Sequence, residues 1–296
     1  MLLRTLIHRI IRYCGIAILI RKIFARNNIT IVVYHKPEEK FFKMHINYLS
    51  GLYNFISLSD LIDALYSDKP QALPKYAMLI TLDDGWKENF NLLDTIKEYK
   101  IRPLIFLSSH LINTNRNFWF TVCNYDEIEK LKKKSSSQRS EKLIKDYDFY
   151  YEKEFSDNRQ ALSLDEIQKM KEMVDFGTHS SFHTILTKCN SREKEFEING
   201  SIERVEELLG IPVTAFAYPN GDYDEETIKM LKPGNIKVAR SMDAGWNNRN
   251  TDPYRLKAIA LSDNADINKL AVELTGISMY MQYLFKGRIN GQKPVN

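Results

Sequence analysis

The sequence contains few cysteines and no long uninterrupted apolar run. Cys14, Cys123 and Cys189 are its three cysteines, and they are far apart and odd in number. This pattern argues against a disulfide framework and fits a reducing compartment. The hydrophobic content of 44% is nevertheless ample for the core of one large domain or two ordinary ones.

Beyond its first residues the chain also lacks an excess of basic charge. Residues 1–28 hold six basic side chains and no acidic one: Arg4, Arg9, Arg12, Arg21, Lys22 and Arg26. Because the whole chain has 42 basic and 38 acidic residues, the remainder is close to neutral. No basic patch indicates a nucleic-acid partner, and the positive charge belongs to the N-terminus.

The N-terminal segment, residues 1–28, mixes these basic residues with leucine and isoleucine. Its apolar stretch is too short to span a bilayer, which needs about 20 apolar residues. A signal peptide is disfavoured because Arg21 and Lys22 stand where a small-residue cleavage site is expected. We expect a basic amphipathic helix, either on an anionic membrane surface or packed on the domain's own flank. The expected location is cytoplasmic, at the membrane surface, with export to the cell envelope as the alternative.

From residue 29 onward, short apolar runs alternate with helical patterns. Strands are expected at 29–34, 77–82, 103–107, 174–177, 212–218, 236–239 and 255–261. Helical patterns lie between them, and Ser59 and Ser163 are expected N-caps. About seven strands alternating with helices predict an α/β, barrel-like (β/α) fold with a parallel sheet.

The expected domain spans residues 29–275, followed by a C-terminal tail, 276–296. Residues 113–162 interrupt the alternation, and their second half is dense in charge of both signs and contains several aromatic residues. We interpret them as a helical insertion, either a lid over the site or a solvated helical hairpin without a catalytic role. The oligomeric state is not indicated.

Two sets of metal-ligating residue types follow predicted strands. Asp83 and Asp84 end the run 77–82, and His179 and His183 follow the run 174–177. Adjacent carboxylates repel each other unless a cation or a proton lies between them. One carboxylate and two histidines can bind a divalent metal, so the combination predicts a metal site. The alternative is two capping or core histidines and a turn aspartate.

A two-histidine, one-carboxylate site leaves coordination positions open for activating water. The second carboxylate can then serve as the base. The turn Tyr218-Pro219-Asn220-Gly221 could present a backbone N–H to an oxyanion, although an ordinary turn would have the same composition.

The segments 81–85, 179–183 and 216–221 stand in the order of the polysaccharide deacetylases, carbohydrate esterase family four, which this chain resembles from about residue 29 to 261. The resemblance implies a distorted (β/α) barrel that removes N- or O-acetyl groups from sugars. It implies Asp83 as the catalytic base and Asp84, His179 and His183 as the metal ligands. Zn²⁺ is the expected metal, with Co²⁺, Ni²⁺ or Fe²⁺ as alternatives, and the main-chain N–H of Asn220 is the expected oxyanion donor.

Two departures from the family pattern concern the acid and the residue that orients the base. Ala217 stands where the family often has an arginine, and the usual late histidine is missing near residue 263. The branch similar to poly-N-acetylglucosamine deacetylases uses the histidine of an N-terminal Tyr-His, which implies His35 as the acid. We expect Arg255 to orient the base, with a surface salt bridge as the alternative, and Trp246 to shape the pocket. Trp86 either lines the sugar site or is buried.

The expected function is therefore that of a metal-dependent amidohydrolase that removes acetyl groups from a polysaccharide or lipid-linked glycan. N-acetyl groups are the expected substrate groups, with O-acetyl groups as the alternative. The alternative is a catalytically weak carbohydrate-binding relative that keeps the metal. A non-haem iron oxygenase uses the same ligand types, but it usually carries two of them close together as His-x-Asp on a β-barrel.

Overall fold

The structure is a computed structural model that describes residues 2–67, 73–155, 159–277 and 279, with side chains described from residue 7 onward. Nearly all of the predicted tail, 276–296, lies outside these residues. The eight strands of the described chain are β1 Thr30–Tyr34, β2 Asn54–Phe55, β3 Ala77–Leu82, β4 Leu104–Leu107, β5 Asp175–Thr178, β6 Ala215–Ala217, β7 Val238–Ala244 and β8 Leu256–Ala260.

Parallel pairing closes seven of these strands into a barrel. Neighbours pair in chain order from β3 to β8, and β1 pairs with both β8 and β3, with Thr30 opposite Met78. The two-residue β2 adds to β3 outside the closed ring. The predicted (β/α) barrel is confirmed, and its closure brings the carboxyl ends of all seven strands to one rim, where such folds place their sites.

Helices surround the barrel. The α-helices are α1 Leu2–Tyr13, α2 Ile16–Ile20, α3 Glu39–Ser50, α4 Leu58–Tyr66, α5 Leu93–Tyr99, α6 Tyr125–Leu131, α7 Ser136–Tyr147, α8 Leu164–Met170, α9 Ser191–Glu195, α10 Ser201–Leu209, α11 Glu225–Leu231 and α12 Ile267–Glu273. Turns of π-helix, Arg21–Ala25 and Phe196–Gly200, follow α2 and α9, and short 3-10 turns lie at Lys87–Leu92, Trp119–Thr121, Leu186–Lys188 and Pro219–Gly221.

The strands are apolar on both faces because both faces are covered. Alternate residues such as Ile31 and Val33 pack inside the barrel with Phe106, whereas Val32 and Tyr34 pack outward against the helices. This explains the continuous apolar runs from which the strands were predicted.

Among the predicted boundaries that differ from the structure are the start of α4 and the end of β7. The N-cap of α4 is Ser57, not Ser59, because Ser57 forms a reciprocal capping box with Asp60 three residues on. Strand β7 reaches Ala244 instead of ending at residue 239, so Arg240 lies within a buried strand.

The N-terminal segment folds onto the domain. Arg12 Nη1 donates to Asn268 Oδ1 of α12 over 2.9 Å, and Arg21 Nη1 donates to the Leu52 carbonyl over 2.7 Å. Among the residues that the structure describes, no helix is both long and apolar enough to cross a membrane.

The segment 113–162 contributes α6 and α7 and a small core of its own. Trp119, Leu131, Leu143 and Phe149 are buried there together with Ile185, which lies just beyond His183. The insertion therefore packs beside one of the predicted metal ligands.

Candidate active site

Asp83 and Asp84 turn the chain away from the rim of the barrel at the end of β3. The Asp83 N–H donates to the Tyr34 carbonyl at the end of β1 over 2.9 Å. Asp84 and Gly85 then both adopt left-handed conformations, each with φ 75°. A Cβ on Gly85 would lie 2.7 Å from the Leu107 side chain, so glycine allows this turn to press against β4.

His179 follows β5 on the same rim and is oriented by the next strand. Its Nδ1 lies 2.8 Å from the Ala217 carbonyl, which can only accept a hydrogen bond. Nδ1 is therefore the protonated nitrogen, and Nε2 carries a free lone pair facing the aspartates. Such a bond to the distal nitrogen is the usual way of orienting a metal-binding histidine.

Three ligand atoms converge on one point. Asp84 Oδ1 lies 3.6 Å from His179 Nε2 and 3.2 Å from His183 Nε2, and the three atoms all lie within 4.8 Å of one another. Tetrahedral zinc with ligands at about 2.1 Å separates those ligands by about 3.4 Å. The spacing therefore fits a group that could hold a metal ion.

The hydrogen bonds of Asp84 support the same fit. Trp86 Nε1 donates to Asp84 Oδ2 over 2.8 Å, whereas Oδ1 is buried without a hydrogen-bond partner in the described structure. A buried carboxylate oxygen that lacks a partner is costly, and a cation between Oδ1 and the imidazoles would satisfy it.

Burial sets the protonation of this group. It lowers the pKa of His179, outweighing the neighbouring carboxylates, and it lowers the pKa of His183 well below the usual value. Both imidazoles are therefore neutral near pH 7, as metal ligation requires. Burial also raises the pKa of Asp84.

Asp83 is held differently, by an arginine. Burial alone would raise the pKa of Asp83, but Arg240, then His179 and His35, outweigh it and the pKa is lowered. Arg240 Nη2 donates to Asp83 Oδ1 over 2.6 Å and to Oδ2 over 2.5 Å, and both side chains are buried. Asp83 therefore stays ionised, 3.9 Å from His179 Nε2, with its carboxylate held in place by the arginine.

Arg240, not Arg255, is the arginine that contacts Asp83. This role of Arg240 was not predicted from the sequence. Arg255 instead forms ion pairs with Glu225 and Asp252, which is the surface salt bridge given as the alternative. Ala217 of β6 and Arg240 of β7 are register partners, so Arg240 enters from the adjacent strand at the level of Ala217. The available signal was an arginine directly after the predicted strand 236–239.

His35 lies at the end of β1, beside the two aspartates. Its N–H donates to Asp263 Oδ1 over 2.9 Å, and its carbonyl accepts from Asn89 Nδ2 over 2.8 Å. The side chain is exposed, and its charge contributes to the lowered pKa of Asp83 and opposes the raised pKa of Asp84. The backbone is held at two points, and the imidazole is exposed beside the two aspartates.

The turn 218–221 follows β6, next to the strand that ends at His179. Tyr218 and Pro219 are buried, and Asn220 has a left-handed backbone with φ 60°. Asn220 Nδ2 donates to Asp222 Oδ2 over 2.8 Å. Burial raises the pKa of Asp222 to about 7.

Comparison with known proteins agrees with this geometry. Residues 71–239, more than half of the chain, match the family model described as polysaccharide deacetylase. The chain belongs to the polysaccharide deacetylase family. It is accordingly a hydrolase of the type that acts on the carbon–nitrogen bond of acetylated glycans. No curated protein gives a significant match to its sequence.

Three solved structures share the fold of this deacetylase at low sequence identity. Streptococcus pyogenes deacetylase PplD, in complex with acetate, is 18% identical with a TM-score of 0.61 over 84% of this chain and 99% of its own. IcaB from Ammonifex degensii is 15% identical with a TM-score of 0.62, over 84% and 97%. A de-N-acetylase from Aggregatibacter actinomycetemcomitans is 14% identical with a TM-score of 0.60, over 83% and 99%.

Trp86 is buried in the deacetylase, which was one of its two expected alternatives, and Trp246 contacts the N-terminal segment. Trp246 stacks on Phe24 of the N-terminal segment at 5.0 Å instead of joining the group around Asp84. Trp86 is buried, bonds to Asp84 and packs at 4.4 Å from Phe118 of the insertion. The indole N–H of Trp86 thus holds one carboxylate oxygen of Asp84, while the pocket role of Trp246 stays a prediction.

The insertion of the deacetylase touches the site directly. Trp119 Nε1 donates to the His183 carbonyl over 3.0 Å, and the Phe120 ring lies 4.7 Å from the His183 imidazole. Through these contacts the insertion lines one side of the site, next to His183.

Glu197 also supports the site and was not identified from the sequence. Its buried carboxylate accepts from the Phe182 N–H over 3.0 Å and from Thr184 Oγ1 over 2.9 Å. It thereby ties down the loop in which Ser180 and His183 adopt left-handed conformations. The carboxylate lies on the π-helical turn after α9, a distortion often found near functional sites.

Proposed function

We propose that this deacetylase is a metal-dependent enzyme that removes N-acetyl groups from an amino-sugar polysaccharide or its lipid-linked precursor. One observation carries the proposal: three buried or nearly buried ligand atoms of Asp84, His179 and His183 converge beside an ionised Asp83. The solved structure described as a de-N-acetylase, which shares the fold, favours nitrogen over oxygen as the acyl carrier.

The metal would be held by Asp84, His179 and His183, with Zn²⁺ favoured by the mixed nitrogen and oxygen donors. When bound there, it would lower the pKa of water and polarise the acetyl carbonyl. Co²⁺, Ni²⁺ and Fe²⁺ suit the same donors.

The remaining residues would transfer the protons and stabilise the oxyanion. Asp83 accepts a proton from the attacking water, and Arg240 keeps its carboxylate ionised and in place. The Asn220 N–H stabilises the oxyanion formed on the carbonyl. His35 then protonates the amine as the carbon–nitrogen bond breaks, a general-acid role that imidazole groups often serve. The products are acetate and a free amino sugar.

Matched variants test this assignment. Asp83→Asn should retain Zn²⁺ but lose acetate release from N-acetylglucosamine oligomers by about 100-fold or more. Asp84→Asn should lose both the metal and the activity. Metal content of protein purified without chelators is measured alongside acetate. If Asp83→Asn also loses the metal, or if Asp84→Asn keeps full activity, the assignment of roles fails.

A catalytically weak carbohydrate-binding relative remains the second candidate, since the late family histidine is missing. It predicts equal glycan binding and no turnover in both wild type and Asp83→Asn. The pairing of Arg240 with Asp83 favours the enzyme, because a binding protein has no need of an oriented base.

We also propose a cytoplasmic location. Cys14, Cys123 and Cys189 are free in the structure, which supports a reducing compartment. Fractionation of cells that produce the full chain would test it, and recovery from the culture medium would contradict it.

A further inference from the structure

The N-terminal segment carries an unusual concentration of exposed apolar side chains. Half of the large apolar side chains that are exposed in the described structure lie between Ile7 and Phe24, and we call these the N-terminal apolar surface. Ile10, Tyr13, Leu19 and Ile23 are among them, and each is 55–73% exposed. Scattered exposed apolar residues need no explanation, but a concentration of this kind marks an interaction surface.

The exposure is not a sign of a detached segment, because the opposite side is docked. Arg12 and Arg21 reach Asn268 and the Leu52 carbonyl, and Ala25 is fully buried. The Arg21 guanidinium also lies 4.5 Å from the centre of the Tyr76 ring. The segment is therefore fixed on the domain with its apolar side outward.

Charge identifies the partner of this surface. The chain contains no acidic residue before Glu38. Lys22 and Arg26 are exposed and form no ion pair within the part of the chain that the structure describes. Unpaired cations beside exposed isoleucine and leucine match anionic headgroups above an apolar membrane interior. A second copy of the chain would instead bring the same positive charge to the contact.

We propose that the N-terminal apolar surface docks the deacetylase on an anionic phospholipid bilayer. Arg12 fixes the segment to Asn268 of α12, so the whole domain would follow the segment to the lipid surface. The proposal does not depend on the catalytic roles, and its test needs no turnover.

Co-sedimentation of the full chain with vesicles tests this binding. Vesicles of phosphatidylcholine mixed with phosphatidylglycerol should bind it far more strongly than pure phosphatidylcholine, and salt should weaken the binding. Lys22→Gln combined with Arg26→Gln should weaken it about 30-fold, which at 1.4 kcal/mol per tenfold is about 2 kcal/mol. Leu19→Asp and Ile23→Asp should each weaken it about tenfold or more.

Matched controls lie on other faces of the domain. Ile144 is 54% exposed on α7, and Lys229 is exposed on α11. Ile144→Asp and Lys229→Gln should bind vesicles like the wild type, and circular dichroism should show that all variants are folded. Equal binding to both vesicle types, or no loss in the N-terminal variants, would overturn the proposal. So would concentration-dependent dimers that Leu19→Asp abolishes in the absence of lipid.

Discussion

Replacing Arg240 by methionine should destabilise the protein and disable its base. Met fills much of the volume of the arginine stem beside Phe106 but leaves Asp83 buried without a counter-charge. Removing one partner of a buried ion pair costs about 3–5 kcal/mol. We expect the low end, about 3 kcal/mol, because Asp83 can take up a proton when its pKa rises.

A double-mutant cycle measured by urea unfolding isolates the pair. Asp83→Asn alone leaves the Arg240 charge buried and unpaired, whereas the double variant leaves no buried charge at the pair. The cost of the double variant should therefore be well below the sum of the two single costs. Additivity within about 0.5 kcal/mol would mean that the two side chains do not interact, and it would refute the reasoning.

The same variants separate stability from catalysis. Arg240→Met should lower the turnover of acetate release by about 100-fold, approaching the loss of the base itself, with unchanged zinc content. Arg240→Lys keeps a cation that can contact both Asp83 oxygens through one nitrogen, as Nη2 does, so it should recover part of both losses. Wild-type turnover in folded Arg240→Met would also contradict the proposed role.

Three further predictions concern the acid, the histidine loop and the pH dependence of folding. His35→Gln should reduce acetate release about 100-fold in a turnover assay without loss of zinc, and full activity would exclude His35 as the acid. Glu197→Ala should weaken zinc binding about 10–100-fold in a chelator competition, with Glu197→Gln closer to the wild type; equal affinities would contradict its positioning role. Because burial raises the pKa of Asp222 to about 7, the folded state binds that proton more tightly than the unfolded state. Stability from this group is thus lost as pH rises from the ordinary carboxyl value of 3.8 through about 7, so urea midpoints should fall less for Asp222→Asn than for wild type between about pH 5 and pH 8; parallel curves would contradict this.

The barrel was predictable from the sequence because parallel strands covered on both faces are continuously apolar. Runs such as 77–82 therefore stand out between helical patterns, and Ser163 proved to be the N-cap of α8. The N-cap of α4 was harder to predict, because both Ser57 and the predicted Ser59 precede helix-forming residues. It is decided by the side chain of Asp60, which bonds back to the Ser57 N–H.

The proximity of Asp84, His179 and His183 was predictable because they follow strands that end on a common rim. The contact of Arg240 with Asp83 was not predictable. It depends on the pairing register of β6 and β7, which places Arg240 directly beside Ala217. Glu197 was hidden for a similar reason: a glutamate within an amphipathic helical pattern gives no sign that a π-turn directs it inward. The stacking of Trp246 on Phe24 likewise arises from the path of the N-terminal segment.

The contact between Arg240 and Asp83 has a consequence for biosynthesis. Asp83 ends the third strand, whereas its guanidinium partner arrives from the seventh, more than 150 residues later in translation. A nascent chain that has emerged only as far as α11 already contains the aspartates and histidines but not the guanidinium that keeps Asp83 ionised. The proposed catalytic site is thus incomplete until the final strands have closed the barrel.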